Sequence, residues 1–233
     1  MKMLTVGDSH SCNWIWGNTW ADILPDRFGM EPLIAKSAGA GNSVYIEKIH
    51  HALKTYNDIE LVVIQTTEHS RVVTGFEKDY LRPYSHGELT NSQRMNDVLT
   101  YTWTCRENGN ERNIYNMIKQ ETKIDDVWSM YIATSIFNEY KYFHDIITIQ
   151  YICESYGVDC VLFHWFMDIT ELHSYNDYKW ILNNIKSVPS SFINWKKDNN
   201  IEAKEDGHYG PEVHELFVDT WLKNEVEKLR ITK

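Results

Sequence analysis

Met3-Leu-Thr-Val-Gly-Asp-Ser-His-Ser11 runs from a short apolar segment through a glycine into a cluster of small polar residues. Met3 to Val6 reads as a buried strand that Gly7 ends. Working outward, Pro32 to Lys36 is expected to form a second strand, and Glu60-Leu-Val-Val-Ile-Gln65 a third. The third is rich in β-branched residues, and no polar side chain interrupts Leu61 to Ile64. Val158 to Trp165 gives a fourth. Helical periodicity lies between these runs, over Ser43 to Tyr56 and Asp177 to Ile185, and over a long stretch from Asp125 to Tyr156 that Gly157 ends. Gly210-Pro211 opens a last helix, whose expected apolar stripe is Val213, Leu216, Phe217, Thr220, Trp221 and Val226. Trp14 to Phe28 reads as partly helical, with Gly17 and Pro25 as breaks. Ser191 to Trp195 fits either a strand or a helical turn. Strands alternating with helices predict an α/β fold with a mostly parallel sheet covered on both faces.

The 233 residues suit a single domain, 1–233. From Thr66 to about Asp126 the pattern blurs, with turn signals at Arg82-Pro83, Gly87 and Asn108-Gly109-Asn110 and helical pieces expected between them. The interval is long for one connection, so about 68–125 is read as an insertion or lid; an ordinary helical crossover is the alternative. The net charge of −10 disfavours nucleic-acid backbones and anionic membranes. Charged residues within Trp128 to Ile152 exclude a simple membrane span there. Without a secretory leader pattern at Met1, a cytoplasmic location is expected. The four cysteines, Cys12, Cys105, Cys153 and Cys160, form no C-x-x-C pair and are expected to be free and mostly buried.

In a parallel sheet the carboxyl ends of strands face the ligand crevice. Ser9, just past the first strand, is therefore placed to act as a nucleophile, and a serine hydroxyl needs a base. His208 is the candidate base. It follows Glu205-Asp206-Gly207 and precedes the last helix, and a carboxylate two or three residues earlier can orient its ring.

These blocks resemble those of the SGNH/GDSL hydrolase family. Gly7-Asp8-Ser9 matches the first block, whose serine is the nucleophile. Ser37-Ala38-Gly39-Ala40-Gly41-Asn42-Ser43 lies where the family keeps an oxyanion-hole glycine, with Gly41 the choice and Gly39 the alternative. Asp206-Gly207-His208 lies where the family places acid and base. Asp206 is taken as the acid, with Glu205 as the alternative. The resemblance implies a three-layer flavodoxin-like fold and an oxyanion hole of Ser9, Gly41 and Thr67. It implies ester cleavage through an acyl-enzyme without metal or organic cofactor. The implied substrate is a small-molecule or carbohydrate ester, with O-acetylated carbohydrate the first guess. Two departures stand out. The third block usually reads Gly-x-Asn-Asp, whereas here Gln65-Thr66-Thr67-Glu68 puts a threonine at the asparagine position, a role that Asn42 or a backbone amide can take over. The acid–base spacing is also one residue short of the usual Asp-x-x-His.

Two rival readings stay open. The Gly-Asp-Ser-His motif also resembles domains of sugar O-acyltransferases. A non-catalytic structural or binding module fits the lost asparagine, and the Asn/Tyr/Ile/Lys-rich composition is similar to that of phage-encoded SGNH proteins that ride on virions. His10 and His214 are read as packing or solvated residues, and His164 as buried and hydrogen-bonded. Trp14, Trp16 and Trp20 are read as core rather than a sugar-stacking groove. Arg71 is read as a salt-bridge partner rather than a ligand for a substrate carboxylate. His50-His51 and His214 have no companion ligands at zinc spacing.

Overall fold

The computed structural model describes residues 1–11, 17–36, 41–67, 71–75, 88–89, 93–94, 100–104, 136–204 and 207–231. Five strands form one sheet: β1 (Lys2–Gly7), β2 (Glu31–Lys36), β3 (Ile59–Thr66), β8 (Asp159–His164) and β9 (Ser187–Ser191). Their order is β2-β1-β3-β8-β9, and every pairing is parallel. Relabelled along the sheet this is the 2-1-3-4-5 order of flavodoxin-like folds, in which the chain reverses direction of winding between β1 and β3.

Strand alternation divides the apolar residues between two cores. Leu4, Val6, Val62, Ile64, Cys160 and Leu162 face one side. They are covered by α2 (Asn42–Thr55), α3 (Ile136–Ser155) and α4 (Tyr175–Leu182). Met3, Leu61, Val63, Val161 and Phe163 face the other. There they meet α1 (Trp20–Arg27), α5 (Phe192–Asp198) and the last helical segment. The layers are fastened by polar contacts as well. Lys141 on α3 reaches Ser43 on α2 and lies 2.7 Å from Asp145, to which Ser43 also donates at 2.9 Å.

Prolines sit where the sheet and helices tolerate them. Pro32 and Pro189 lie in β2 and β9, the two edge strands, where a missing N–H costs no central ladder bond. The presence of Pro189 hid β9 from the sequence, and Ser191 to Trp195 resolves into the end of that strand and the start of α5. Pro25 was expected to break a helix, yet it lies inside α1. Its ring leaves the carbonyl of Ala21, four residues earlier, without a helical donor, and the Thr5 hydroxyl supplies one at 3.1 Å.

The last helical segment departs furthest from its expected pattern. It runs as α6 (Pro211–Phe217), a π-helical turn over Val218–Leu222, and α7 (Lys223–Ile231). The wider turn shifts the helical phase. His214, Val218, Leu222 and Val226 are buried in steps of four, while Leu216 and Thr220, expected in the apolar stripe, are exposed.

Within the interval read as an insertion or lid, the described residues are four short strands: β4 (Arg71–Gly75), β5 (Glu88–Leu89), β6 (Gln93–Arg94) and β7 (Thr100–Thr104). β4 pairs antiparallel with β7, and β5 with β6. The rest of that interval, the start of the expected long helix before residue 136, Trp14, Trp16, Cys12 and Cys105 lie outside the described residues. Cys153 and Cys160 are free and buried. The hydrogen bond with Cys153, and then burial, push the Cys160 thiol well up, away from the reactive thiolate. Among the described residues no helix is long and apolar enough to cross a membrane.

Candidate active site

The candidate site lies beyond the carboxyl ends of β1 and β3 and at the N-terminus of α2, at the point where the winding reverses. Beyond β1, Gly7 and Asp8 lead into a short 3-10 turn, Ser9–Ser11. Asp8 is fully buried and organises that turn. Its Oδ1 accepts from the His10 amide at 3.0 Å and from Gln65 Nε2 at 2.6 Å, and its carbonyl accepts from the Ser11 amide at 3.0 Å. Gln65, at the end of β3, is equally buried. Its Oε1 accepts from Ser11 Oγ at 2.8 Å and from the indole N–H of Trp20 at 2.8 Å. The backbone carrying Ser9 is thus held from below by a satisfied Asp8–Gln65–Ser11–Trp20 network, the kind of support that fixes a functional loop.

Gly7 is required by this packing. A Cβ there would fall 1.9 Å from Ser11 Oγ and 3.0 Å from both Ser11 Cβ and Gln65 Oε1. Because Ser11 and Gln65 are locked in the network, neither can yield without breaking it. Gly7→Ala is expected to destabilise the protein by about 3 kcal/mol, as overpacking of a tight core does. Urea denaturation checks this, and a loss below about 0.5 kcal/mol would show that the turn relaxes freely.

His208 arrives from the far end of the chain. Gly207, at φ +81°, makes the preceding turn, closed by the Gly207 amide on the Lys204 carbonyl at 2.9 Å and the Lys204 amide on the His208 carbonyl at 2.8 Å. A left-handed φ is one that glycine adopts at no steric cost. The imidazole of His208 then lies over that of His10, with centroids 4.7 Å apart and planes 33° apart. His10, expected to be a packing or surface residue, is buried in packing beside His208. Its ring also meets Trp165 at 4.9 Å and Phe166 at 5.3 Å. Asp206 and Glu205 lie outside the described residues, as do Gly39, the rest of residues 37–40 and Glu68.

A third histidine completes the cluster. His214, expected to be solvated, is buried on α6 and stacks on Trp165, with centroids 5.7 Å and planes 22° apart. Burial first, then the neighbouring His10 and His208, lower its pKa to about 3, so it stays neutral. Its contact with Trp165, a residue distant in sequence, accompanies its burial, and no local helical pattern contains that contact.

On the other side of β1, Gly41 caps the N-terminus of α2 in an extended conformation, φ −87° and ψ 167°. Asn42, the first residue of that helix, is buried, and its Oδ1 accepts from the Thr67 amide at 2.9 Å. The Thr67 hydroxyl lies 3.4 Å from the same oxygen. Thr67 is buried just past β3, so β3 and α2 are tied together at the crevice. The neighbouring His164 is buried and hydrogen-bonded as expected. Its Nδ1 lies 2.9 Å from Thr66 Oγ1 and 2.8 Å from the Tyr142 hydroxyl, and its Nε2 lies 2.8 Å from Ser187 Oγ. Burial lowers its pKa to about 4. It belongs to the sheet's opposite face from His208 and serves to join β3, β8, β9 and α3. Trp20 is core, as expected, and also a hydrogen-bond donor to the serine turn.

No family model matches the chain, and no curated protein does. Among solved structures, the chain is similar to one assigned to the G-D-S-L family of lipolytic proteins from Desulfitobacterium hafniense DCB-2. The two share 11% identity over 98% of each chain, with a TM-score of 0.46. At that level the likeness concerns the course of the backbone, and no residue role is taken from it.

Proposed function

We propose that this chain is a serine-dependent ester hydrolase of the SGNH/GDSL type, cleaving an acyl ester through an acyl-enzyme. The observation that supports the reading is the approach of the His208 ring to within 4.7 Å of the His10 ring, centroid to centroid, which brings the candidate base from the last quarter of the chain beside the residue that follows Ser9. Ser9 just past the first strand and His208 before the last helix would both serve the carboxyl edge of the sheet, where a flavodoxin-like fold binds its ligands.

In this reading Ser9 attacks the ester carbonyl. His208 takes the serine proton and returns it to the leaving alcohol, then activates the water that releases the acyl group. Asp206 orients the imidazole and stabilises its cation. Oxyanion donors are the backbone amides of Ser9 and Gly41, the latter at the positive end of α2, with Thr67 close by. O-acetyl groups on carbohydrate are the favoured substrate.

The test is acetate release from p-nitrophenyl acetate and from acetylated oligosaccharide, with purified wild type and Ser9→Ala. Turnover by wild type and a loss of at least about 10⁴-fold in the variant are expected. Equal rates for both proteins would sink the reading.

A further inference from the structure

Resting on the serine-esterase reading, we propose that Gln65 is a positioning residue for the nucleophile, a single side chain of β3 that grips the turn carrying Ser9 at both of its ends. Its orientation follows from its neighbours. The indole N–H of Trp20 can only donate, so the atom of Gln65 that it meets at 2.8 Å is the carboxamide oxygen, which also accepts from Ser11 Oγ at 2.8 Å. Nε2 is then the atom that donates to Asp8 Oδ1 at 2.6 Å. Asp8 and Ser11 bracket the turn. Asp8 Oδ1 accepts from the His10 amide and the Asp8 carbonyl from the Ser11 amide, each at 3.0 Å. Any shift of the Gln65 side chain is therefore passed to both flanks of Ser9. Asp8, Ser11 and Gln65 are all fully buried, so these bonds lie out of competition with bulk water. The third block of the SGNH/GDSL pattern has a glycine where this chain has Gln65, and a glycine has no side chain with which to make the contact. The grip on the turn is a feature of this chain.

Gln65→Leu and Gln65→Glu test the role, with p-nitrophenyl acetate as substrate. Gln65→Leu keeps the bulk and removes both arms of the fork. It is expected to lower kcat at pH 7 by at least about 10², with KM changed less than about threefold, because a misplaced nucleophile loses rate rather than binding. Gln65→Glu keeps an oxygen for Trp20 and Ser11 but sets a second carboxyl oxygen against Asp8, where an N–H donated. Two carboxyl groups that close hold one proton between them, and buried carboxyls release such a proton as late as about pH 8–9. With the proton in place the contact is restored; once it leaves, the two groups repel. Gln65→Glu is therefore expected to keep kcat within about tenfold of wild type at pH 7, and to fall at least about tenfold further behind it by about pH 9.5. Circular dichroism at both pH values reports folding, and Ser9-dependent turnover by wild type reports the underlying esterase reading separately. Wild-type kcat in folded Gln65→Leu, or a Gln65→Glu profile parallel to that of wild type, overturns the inference while leaving the esterase reading in place. Loss of the fold in step with kcat in Gln65→Glu assigns Gln65 to stability alone and overturns it as well. If Gln65→Leu does not fold, the Gln65→Glu profile decides. Wild type without Ser9-dependent turnover overturns both.

Discussion

His208→Ala is expected to lower kcat for an activated ester by on the order of 10⁵–10⁶, the largest effect of any single substitution in this protein. Removing the base from a serine site leaves the nucleophile protonated, and the remaining oxyanion donors recover only a small part of the rate. The competing assignment gives the role to His10, whose ring lies 4.7 Å from that of His208. His10 is packed against Trp165 and Phe166, and on the proposed reading it backs the His208 ring. His10→Phe keeps an aromatic surface there and is expected to retain kcat within about tenfold. Steady-state kinetics on both variants decide between the histidines. Activity surviving in His208→Ala and lost in His10→Phe would reverse the assignment.

The second large effect is on stability in mild acid. His214 and His164 are buried, and burial lowers their folded-state pKa values to about 3 and about 4, from an ordinary histidine value of 6.5. Above about pH 6.5 both are neutral in the folded and unfolded chain, and their contribution is complete. As the pH falls below that value the unfolded chain takes up protons that the folded one refuses. Stability is therefore lost from about pH 6.5 downward, until the folded-state values are reached. At pH 5 each residue costs about 2 kcal/mol, and the pair about 4 kcal/mol, on the conversion of 1.36 kcal/mol per unit. For a chain of this length that lowers the melting temperature by about 10 °C between pH 7 and pH 5. Carboxylates titrate mostly below this window, so the effect belongs to the histidines. Calorimetry at the two pH values checks it, and His164→Asn combined with His214→Leu is expected to flatten the profile. Equal melting temperatures for wild type at pH 7 and pH 5 would contradict the buried-neutral assignment.

Much of the sheet is legible in the chain because buried parallel strands are written as short, unbroken apolar runs. Leu61 to Ile64 and Val161 to Phe163 could hardly be anything else. The edge strand β9 is not legible, since Ser187-Val-Pro-Ser-Ser191 has neither a run nor an alternation, and only its pairing with β8 makes it a strand. Pro25 misleads for a related reason. Its cost in α1 is met by Thr5, a residue of β1 whose contribution no local rule contains. The last helix differs from its expected face at His214, which is buried against Trp165, and at Leu216, which is exposed; that tertiary contact is written in no local pattern.

The candidate site divides in the same way. Ser9 and His208 are recognisable from their places beside the first strand and the last helix. The network below Ser9 is not, because Asp8, Gln65, Ser11 and Trp20 come from three elements and meet only once the sheet forms. The partnership of Asn42 with Thr67 depends on the same convergence. Each residue alone looks like an ordinary helix start or strand end, and their hydrogen bond forms only when β3 and α2 are brought side by side.

The central claim, an activated serine at position 9, is tested most directly by labelling the purified protein with a fluorophosphonate probe, using wild type and Ser9→Ala in parallel. The account predicts stoichiometric labelling of wild type and none of the variant. Folded wild type that does not label, or Ser9→Ala that labels as well as wild type, would contradict it.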